Sequence, residues 1–346
     1  MDGAQPLVAA FDFLLRETAL FAAVGFLLLG ASDLAVDLIW GARALRRRVA
    51  ARGQPPPLTA ADLPPPQAPG RIAVFVPAWD EAQVIARMLR HALSAFDAAD
   101  LRLYVGCYPN DPATIAAVRT VEDPRLRLVL GPAPGPTSKA DCLNRLWDAM
   151  REDEEAEGRR FKAVVLHDAE DVVHSAELRL FDRLIERFDL VQLPVLPLID
   201  PRSRWIAGHY ADEFAEAHGK ELVVREAVGA ALPSAGVGCA VARDALDRLA
   251  EANGTPFDAD SLTEDYELGL RLRACGGRAA FVRIAAAPGR PPVATREYFP
   301  TTLAAAVRRR GGCAASRFRD GRGSAGPAAL RSAGCACATA SRCSRR

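Results

Sequence analysis

The chain has 346 residues, a formal net charge of +1 from 44 basic and 43 acidic side chains, and 50% hydrophobic residues. That length accommodates one sizeable α/β domain with additions, and the charge balance excludes a general nucleic-acid-binding role. Of eight cysteines, Cys313, Cys335, Cys337 and Cys343 lie in the last 34 residues, and the other four lack C-x-x-C spacing, so no disulfide framework or zinc site is indicated.

Near the N-terminus, "ALFAAVGFLLLGA" (19–31) is uninterrupted and apolar. Thirteen helical residues cover about 20 Å, short of the roughly 30 Å hydrocarbon core. Extension to Trp40 supplies the missing length but admits Asp33 and Asp37, four apart and therefore on one helix face. The expectation is one membrane helix over roughly 15–40, within an N-terminal segment 1–45. The Asp33/Asp37 face then meets the cytoplasmic interface or a membrane-protein partner. Arg43, Arg46, Arg47, Arg48 and Arg52 follow the apolar run, which by the positive-inside rule places the rest of the chain in the cytosol. A buried soluble helix is the alternative.

Residues 46–70 contain "GQPPPLTAADLPPPQAPG", which cannot continue a helix and reads as a semi-extended linker. A domain is expected over 71–307. Within it, apolar runs "RIAVFVPAW", "LRLYVGCYP", "RLRLVLGP" and "FKAVVLHD" alternate with helical patterns "EAQVIARMLRHALSAF", "DPATIAAVRTVE", "SKADCLNRLWDAMRE" and "SAELRLFDRLIERF". Such alternation predicts a doubly wound, mainly parallel sheet, whose ligands bind beyond the carboxyl ends of the strands. Polar clusters fall at those ends: Asp80 and Glu81 after the first strand, Asn110 and Asp111 after the second, Asp168, Glu170 and Asp171 after the fourth. Further on, "RWIAGHYADEFAEAHGKELVVREAV" reads as helix, "SAGVGCAVAR" as extended, "SLTEDYELGLRLRACG" as a loop entering a helix and "RAAFVRI" as a strand. From Arg308 the chain has ten arginines, one acid and no Ile, Val, Met, Tyr or Trp, so 308–346 is expected to be a basic, disordered tail.

Three acids ending a buried strand either form a solvated, helix-capping loop or gather around a cation. Hard divalent ions take one or two carboxylates plus substrate phosphates, and Asp168 and Glu170, two apart, share a side if the backbone is extended. In "LTEDYELGLRL", Thr263 can cap the next helix with Glu264 and Asp265 in its first turn, favoured there by the helix dipole. The functional alternative makes Asp265 a general base that takes the proton of an attacking hydroxyl. Lys139 supplies a point charge suited to phosphate, with Asn144 further along the same helix. The stretch "GVGCA", which contains Gly238, fits a strand that other backbone approaches closely.

In this order, at strand ends, these motifs resemble a family 2 glycosyltransferase of the GT-A fold, from about Arg71 to Val307. "VPAWDE" (Pro77, Asp80, Glu81) stands where the family has V-P-x-x-[ND]-E, whose acids meet the nucleotide base. "KADCLN" is similar to its K-x-x-x-L-N segment. "HDAED" is similar to its D-x-D, with Asp168 as the first acid and Glu170 a variant second, and "TED" matches the catalytic-base motif. The N-terminal helix, "HDAEDVV" and "TREYFP" are most similar to the membrane-anchored glycosyltransferases of the bacteriophage adsorption protein B type. The resemblance implies inverting transfer at the bacterial inner membrane. A nucleotide sugar, most often a UDP-sugar, would bind with Mg²⁺ or Mn²⁺ at Asp168 and Glu170, with Asn110, Lys139, Asn144 and Gly238 lining the substrate site, and Asp265, beside Glu264, would deprotonate the acceptor.

The pattern also departs from the family. Processive members carry Q-x-x-R-W after the TED motif, and no Trp follows Trp205 here. The change of character near Arg308 is what an out-of-frame reading of GC-rich DNA gives; a genuine lipid-binding tail is the alternative. Beside an active enzyme stands a second expectation, a catalytically inactive nucleotide-binding scaffold or a truncated fragment.

Overall fold

The computed structural model of the chain describes residues 4–261 and 263–299. The expected tail 308–346 and the segment that departs from Q-x-x-R-W lie outside them. The first of two units ends at Pro56 and contains one helix, α1 (Ala4–Ala50). Val8–Ala50 is long and apolar enough to cross a membrane. The helix runs beyond Trp40 because Ala, Leu and Arg are strong helix formers, and Arg47 and Arg48 sit in its last turn, where the dipole favours positive charge.

The second unit begins at Pro57, so the Pro-rich stretch divides: its later part belongs to the folded domain. Ala60 is fully buried and donates its N–H to the Ala285 carbonyl at 2.8 Å, while the Ala68 N–H reaches Glu186 Oε1 at 2.8 Å. Proline blocks a ladder but not single anchoring bonds of this kind.

Strand–helix alternation builds the sheet as expected. β1 (Ile72–Pro77), α2 (Ile85–Ala95), β2 (Leu101–Cys107), α3 (Pro112–Arg119), β3 (Leu126–Leu130), α4 (Lys139–Glu157), β4 (Ala163–Leu166) and α5 (Glu177–Leu184) follow one another. Next come β5 (Leu190–Gln192), β6 (Val195–Leu198), α6 (Arg204–Glu216), one π-helical turn (Ala217–Glu221) and α7 (Leu222–Ala227). β7 (Cys239–Ala242), α8 (Arg243–Asn253), α9 (Glu264–Ala274), β8 (Ala279–Phe281) and β9 (Thr295–Tyr298) complete the order. The seven-stranded sheet runs β3-β2-β1-β4-β7-β5-β8, with β7 antiparallel to both neighbours and every other pairing parallel. β6 and β9 form a separate parallel pair.

The period of two in a strand sorts the core onto the two faces. From β1, Val74 and Val76 join Ile85, Leu89, Leu178 and Phe181 of α2 and α5 on one face. Ala73 and Phe75 join Leu143, Leu146, Leu246 and Leu268 of α4, α8 and α9 on the other. With both faces covered, the exposed sites for chemistry are the ends of the strands.

Candidate active site

At the end of β1, the chain turns through Trp79, Asp80 and Glu81 before α2. Asp80 adopts φ +60°, a region costly for most residues and better tolerated by Asp. Its N–H donates to Asp111 Oδ2 at 2.7 Å, and the Glu81 N–H donates to Thr114 Oγ1 at 2.9 Å. Asp111 also caps α3 by accepting the Thr114 N–H at 3.1 Å. Burial pushes the Asp111 carboxyl up, but hydrogen bonds from Thr114 and from the Asp80 N–H outweigh it and hold the group below its ordinary range. One ionised carboxylate thus fixes the first acidic loop. Asn110 next to it is a clamp: its Nδ2 donates to the Gly135 carbonyl at 2.8 Å, and its Oδ1 accepts the Gly135 N–H at 2.7 Å. Pro77 ends β1, opposite Gly106 of β2.

The acids after β4 separate into two environments. Residues 168–171 form a turn in which the Asp171 N–H donates to the Asp168 carbonyl at 3.2 Å. The extended backbone expected to put Asp168 and Glu170 on one side is therefore replaced by a turn, because hydrogen bonds within the loop outcompete strand continuation. Asp171 points inward and is 1% exposed. Its Oδ2 accepts the Asp168 N–H at 3.1 Å and lies 2.7 Å from His167 Nδ1, and His167 Nε2 lies 2.8 Å from Glu177 Oε1. Burial works against charge on His167, but Glu177 and Asp171 raise its pKa to about 10, so the two acids favour the positively charged form of the ring between them. Asp168 instead pairs with Lys139 Nζ at 2.5 Å, both side chains about one quarter exposed. Burial again opposes the charge on Lys139, and Asp168, Glu264 and Asp265 together hold its pKa above the ordinary value. Burial and then the charges of Glu170, Asp168, Asp80 and Asp111 push Glu81 up to about 7.

The third component comes from α9. Lys139, Gly236, Phe257, Glu264, Asp265 and Leu268 line one narrow crevice. Glu264 is buried, which pushes its carboxyl up to about 7; Lys139 pulls it down, while Asp265 and Asp168 push it up. Asp265 Oδ1 accepts the Tyr266 N–H at 2.7 Å. Gly236 and Gly238 have φ of +73° and +57°. A Cβ on Gly236 would fall 2.8 Å from Asp265 Oδ2, whereas one on Gly238 would overlap the Thr295 side chain. Gly236, the first glycine of "GVGCA", is thus the residue against Asp265, whereas Gly238 lies against Thr295.

Of the predicted residues, Lys139, Asp168, Glu264 and Asp265 come together, with Glu81 and Glu170 coupled to them through their charges. Asn144 faces elsewhere: its Nδ2 donates to the Phe257 carbonyl at 2.8 Å and its Oδ1 accepts the Phe257 N–H at 3.1 Å, which ties α4 to the loop before α9. Sequence reasoning missed Gln192, 1% exposed. Its Nε2 donates to the carbonyls of Leu193 (2.8 Å), Val237 (2.9 Å) and Gly238 (3.2 Å), and its Oε1 accepts the Ala235 N–H at 2.8 Å. It also missed His167 and Glu177; the only signal was the "HDAED" run itself, since Glu177 is brought in by the turn.

The profile of "Glycosyltransferase like family 2" matches residues 69–312, about 70% of the chain. The chain belongs to that family. The mostly parallel sheet agrees with the GT-A expectation for family 2. Among curated relatives, the chain is 37% identical over 329 residues to "Bacteriophage adsorption protein B" of Escherichia coli K12, covering 90% of this chain and 44% of that protein. The chain therefore spans less than half the length of that relative. Among solved structures it is similar to a mannosyltransferase from Pyrobaculum calidifontis, in complex with GDP-Man and Mn²⁺, at 23% identity and a TM-score of 0.49, over 80% of this chain and 71% of that one. It is also similar to S. aureus TarS residues 1–349 in complex with UDP-GlcNAc, at 11% identity and a TM-score of 0.42, over 67% and 59% of the two chains.

Proposed function

We propose that this chain is a membrane-anchored inverting glycosyltransferase that moves a sugar from a nucleotide-diphosphate sugar, a UDP-sugar first, to an acceptor hydroxyl in bacterial envelope polysaccharide or glycoconjugate synthesis. The observation that carries this reading is the convergence of Lys139, Asp168, Glu264 and Asp265 beyond the carboxyl end of β4 in a family 2 domain. The acceptor oxygen forms a bond to the anomeric carbon, the bond from that carbon to the diphosphate breaks, and Asp265 takes the acceptor proton. Lys139 attracts the diphosphate, and Glu264, buried beside Asp265 and raised to about 7, limits the negative charge next to the base. Glu81 and the loop fixed by Asp111 meet the nucleotide.

Among the described residues no three His, Cys, Asp or Glu side chains are placed to hold a metal by themselves. Two hard carboxylates with the remaining ligands drawn from a diphosphate are nonetheless a usual Mg²⁺ arrangement, and the charges of Glu170 and Asp168, which add to burial in raising Glu81, are ones a cation between them would offset. Asp168 and Glu170 would hold Mg²⁺ or Mn²⁺, which supplies Lewis-acid stabilisation of the departing diphosphate. The arginines that follow the apolar run, Arg43, Arg46, Arg47 and Arg48 at the end of α1 and Arg52 just beyond it, favour the bacterial inner membrane with the catalytic domain in the cytosol, and the Asp33/Asp37 face of α1 is the expected contact for a membrane-protein partner.

The test is a titration of UDP-sugars against the full chain in detergent, with and without Mn²⁺. Parent protein should bind more tightly with Mn²⁺, and Asp168→Ala should abolish that gain. Equal affinity of Asp168→Ala and parent at saturating Mn²⁺ overturns the assignment.

A further inference from the structure

Beneath the acidic turn lies a buried charge cluster to which the proposed reaction gives no part. His167 and Glu177 are fully buried and Asp171 is 1% exposed. Buried ion pairs are a poor route to stability, because desolvation consumes most of what the attraction returns. The position of this one is informative. A single oxygen, Asp171 Oδ2, faces both His167 Nδ1 at 2.7 Å and the Asp168 N–H at 3.1 Å. The same turn is closed by the Asp171 N–H on the Asp168 carbonyl at 3.2 Å. On the far side of the ring, Glu177 belongs to the first turn of α5 and accepts the His174 N–H at 3.3 Å. The His167 N–H donates to the Phe75 carbonyl at 3.1 Å, so the backbone beneath the ring is an extension of the sheet. His167 is thus tied to β1 through its backbone and to the turn and α5 through its ring, and any shift of the ring moves the atom that holds the Asp168 backbone.

We propose that His167 is a positioning residue: by bridging Asp171 and Glu177 under the 168–171 turn, it fixes the direction in which Asp168 presents its carboxylate to Lys139 and to the bound donor. This rests on the reading of Asp168 as a donor-site residue. The group that matters is the Nδ1 donor. Asparagine at 167 places an amide N–H where Nδ1 stands, whereas glutamine reaches towards Glu177 and leaves Asp171 without its ring partner.

The test compares the full-length parent with His167→Asn and His167→Gln. The first readout is amide hydrogen exchange of peptides covering 168–172, with the β2 strand 101–107 as internal control. Both variants lose the ring's positive charge beside Glu177, so they are compared with each other: a bond to the Asp171 carboxylate supports about tenfold in local opening, and His167→Gln should exchange about ten times faster than His167→Asn in 168–172, with 101–107 alike in the two. The second readout is donor kinetics with Mn²⁺: the KM for the UDP-sugar should rise about tenfold in His167→Gln with kcat changed much less. Equal acceleration in 168–172 and 101–107, or identical behaviour of the two variants, overturns the proposal. If His167→Gln does not fold, Glu177→Gln should accelerate exchange in 168–172 severalfold with 101–107 unchanged, and an unaltered 168–172 overturns it. A parent protein that turns over no nucleotide sugar defeats the glycosyltransferase reading, while the exchange readout still decides the role of His167.

Discussion

Asp265 and Gly236 approach each other more closely than any other side chain would allow. A Cβ at 236 would fall 2.8 Å from Asp265 Oδ2 and 2.9 Å from its Cβ, on a backbone with φ +73°. Gly236→Ala should therefore cost about 1–3 kcal/mol in stability from the left-handed conformation. It should also displace the carboxylate and lower kcat by a larger factor than that loss explains. Denaturant midpoints and turnover, measured on the same samples, check both effects. The residue scale also shows where sequence reading stops. Asp168, Glu170 and Asp171 look equivalent in "HDAED", but one pairs with Lys139 and another with His167. Lys139 lies 29 residues before Asp168, and Glu177 lies beyond the turn, so tertiary contacts alone assign each acid its partner.

Elements were more legible than residues. Apolar runs of strand length followed by amphipathic stretches required βαβ units, and the polar clusters after them required a site at one sheet edge. The insertion of β7 between β4 and β5, antiparallel to both, was not legible, because "SAGVGCAVAR" carries strand propensity but no information on its neighbours. The structure supplies the reason for this placement in Gln192, whose buried amide ties the end of β5 to the 235–238 loop that leads into β7. Gln192→Leu removes those bonds and leaves buried backbone groups unpaired, which should cost about 3 kcal/mol. Since the loop holds Gly236 against Asp265, catalysis should fall as well. A urea titration measures the first effect. A parent-like midpoint would show that the loop is held by packing alone.

At the scale of the whole domain, the active site stores electrostatic stress that should appear in the pH dependence of stability. Burial and neighbouring acids raise Glu264 from 4.5 to about 7. The folded state therefore binds a proton that the unfolded state has already released. The stabilisation is fully present below pH 4.5 and is lost as pH rises through about 7, amounting to about 3 kcal/mol at most. Glu81, partly exposed and raised to a similar value, adds a smaller contribution of the same sign. Thermal unfolding of parent and Glu264→Gln from pH 4.5 to 8 should show a shallower decline for the variant, and parallel curves would count against the assigned burial. Sugar transfer by this family 2 domain with Asp265 as base is checked by release of nucleoside diphosphate from UDP-sugars by the full chain in detergent with Mn²⁺, parent against Asp265→Asn. The parent should turn over the sugar nucleotide, and the variant should lose about 10²–10⁴-fold in kcat with donor affinity retained. Equal turnover by the two proteins, or donor binding without any turnover by the parent, would contradict it.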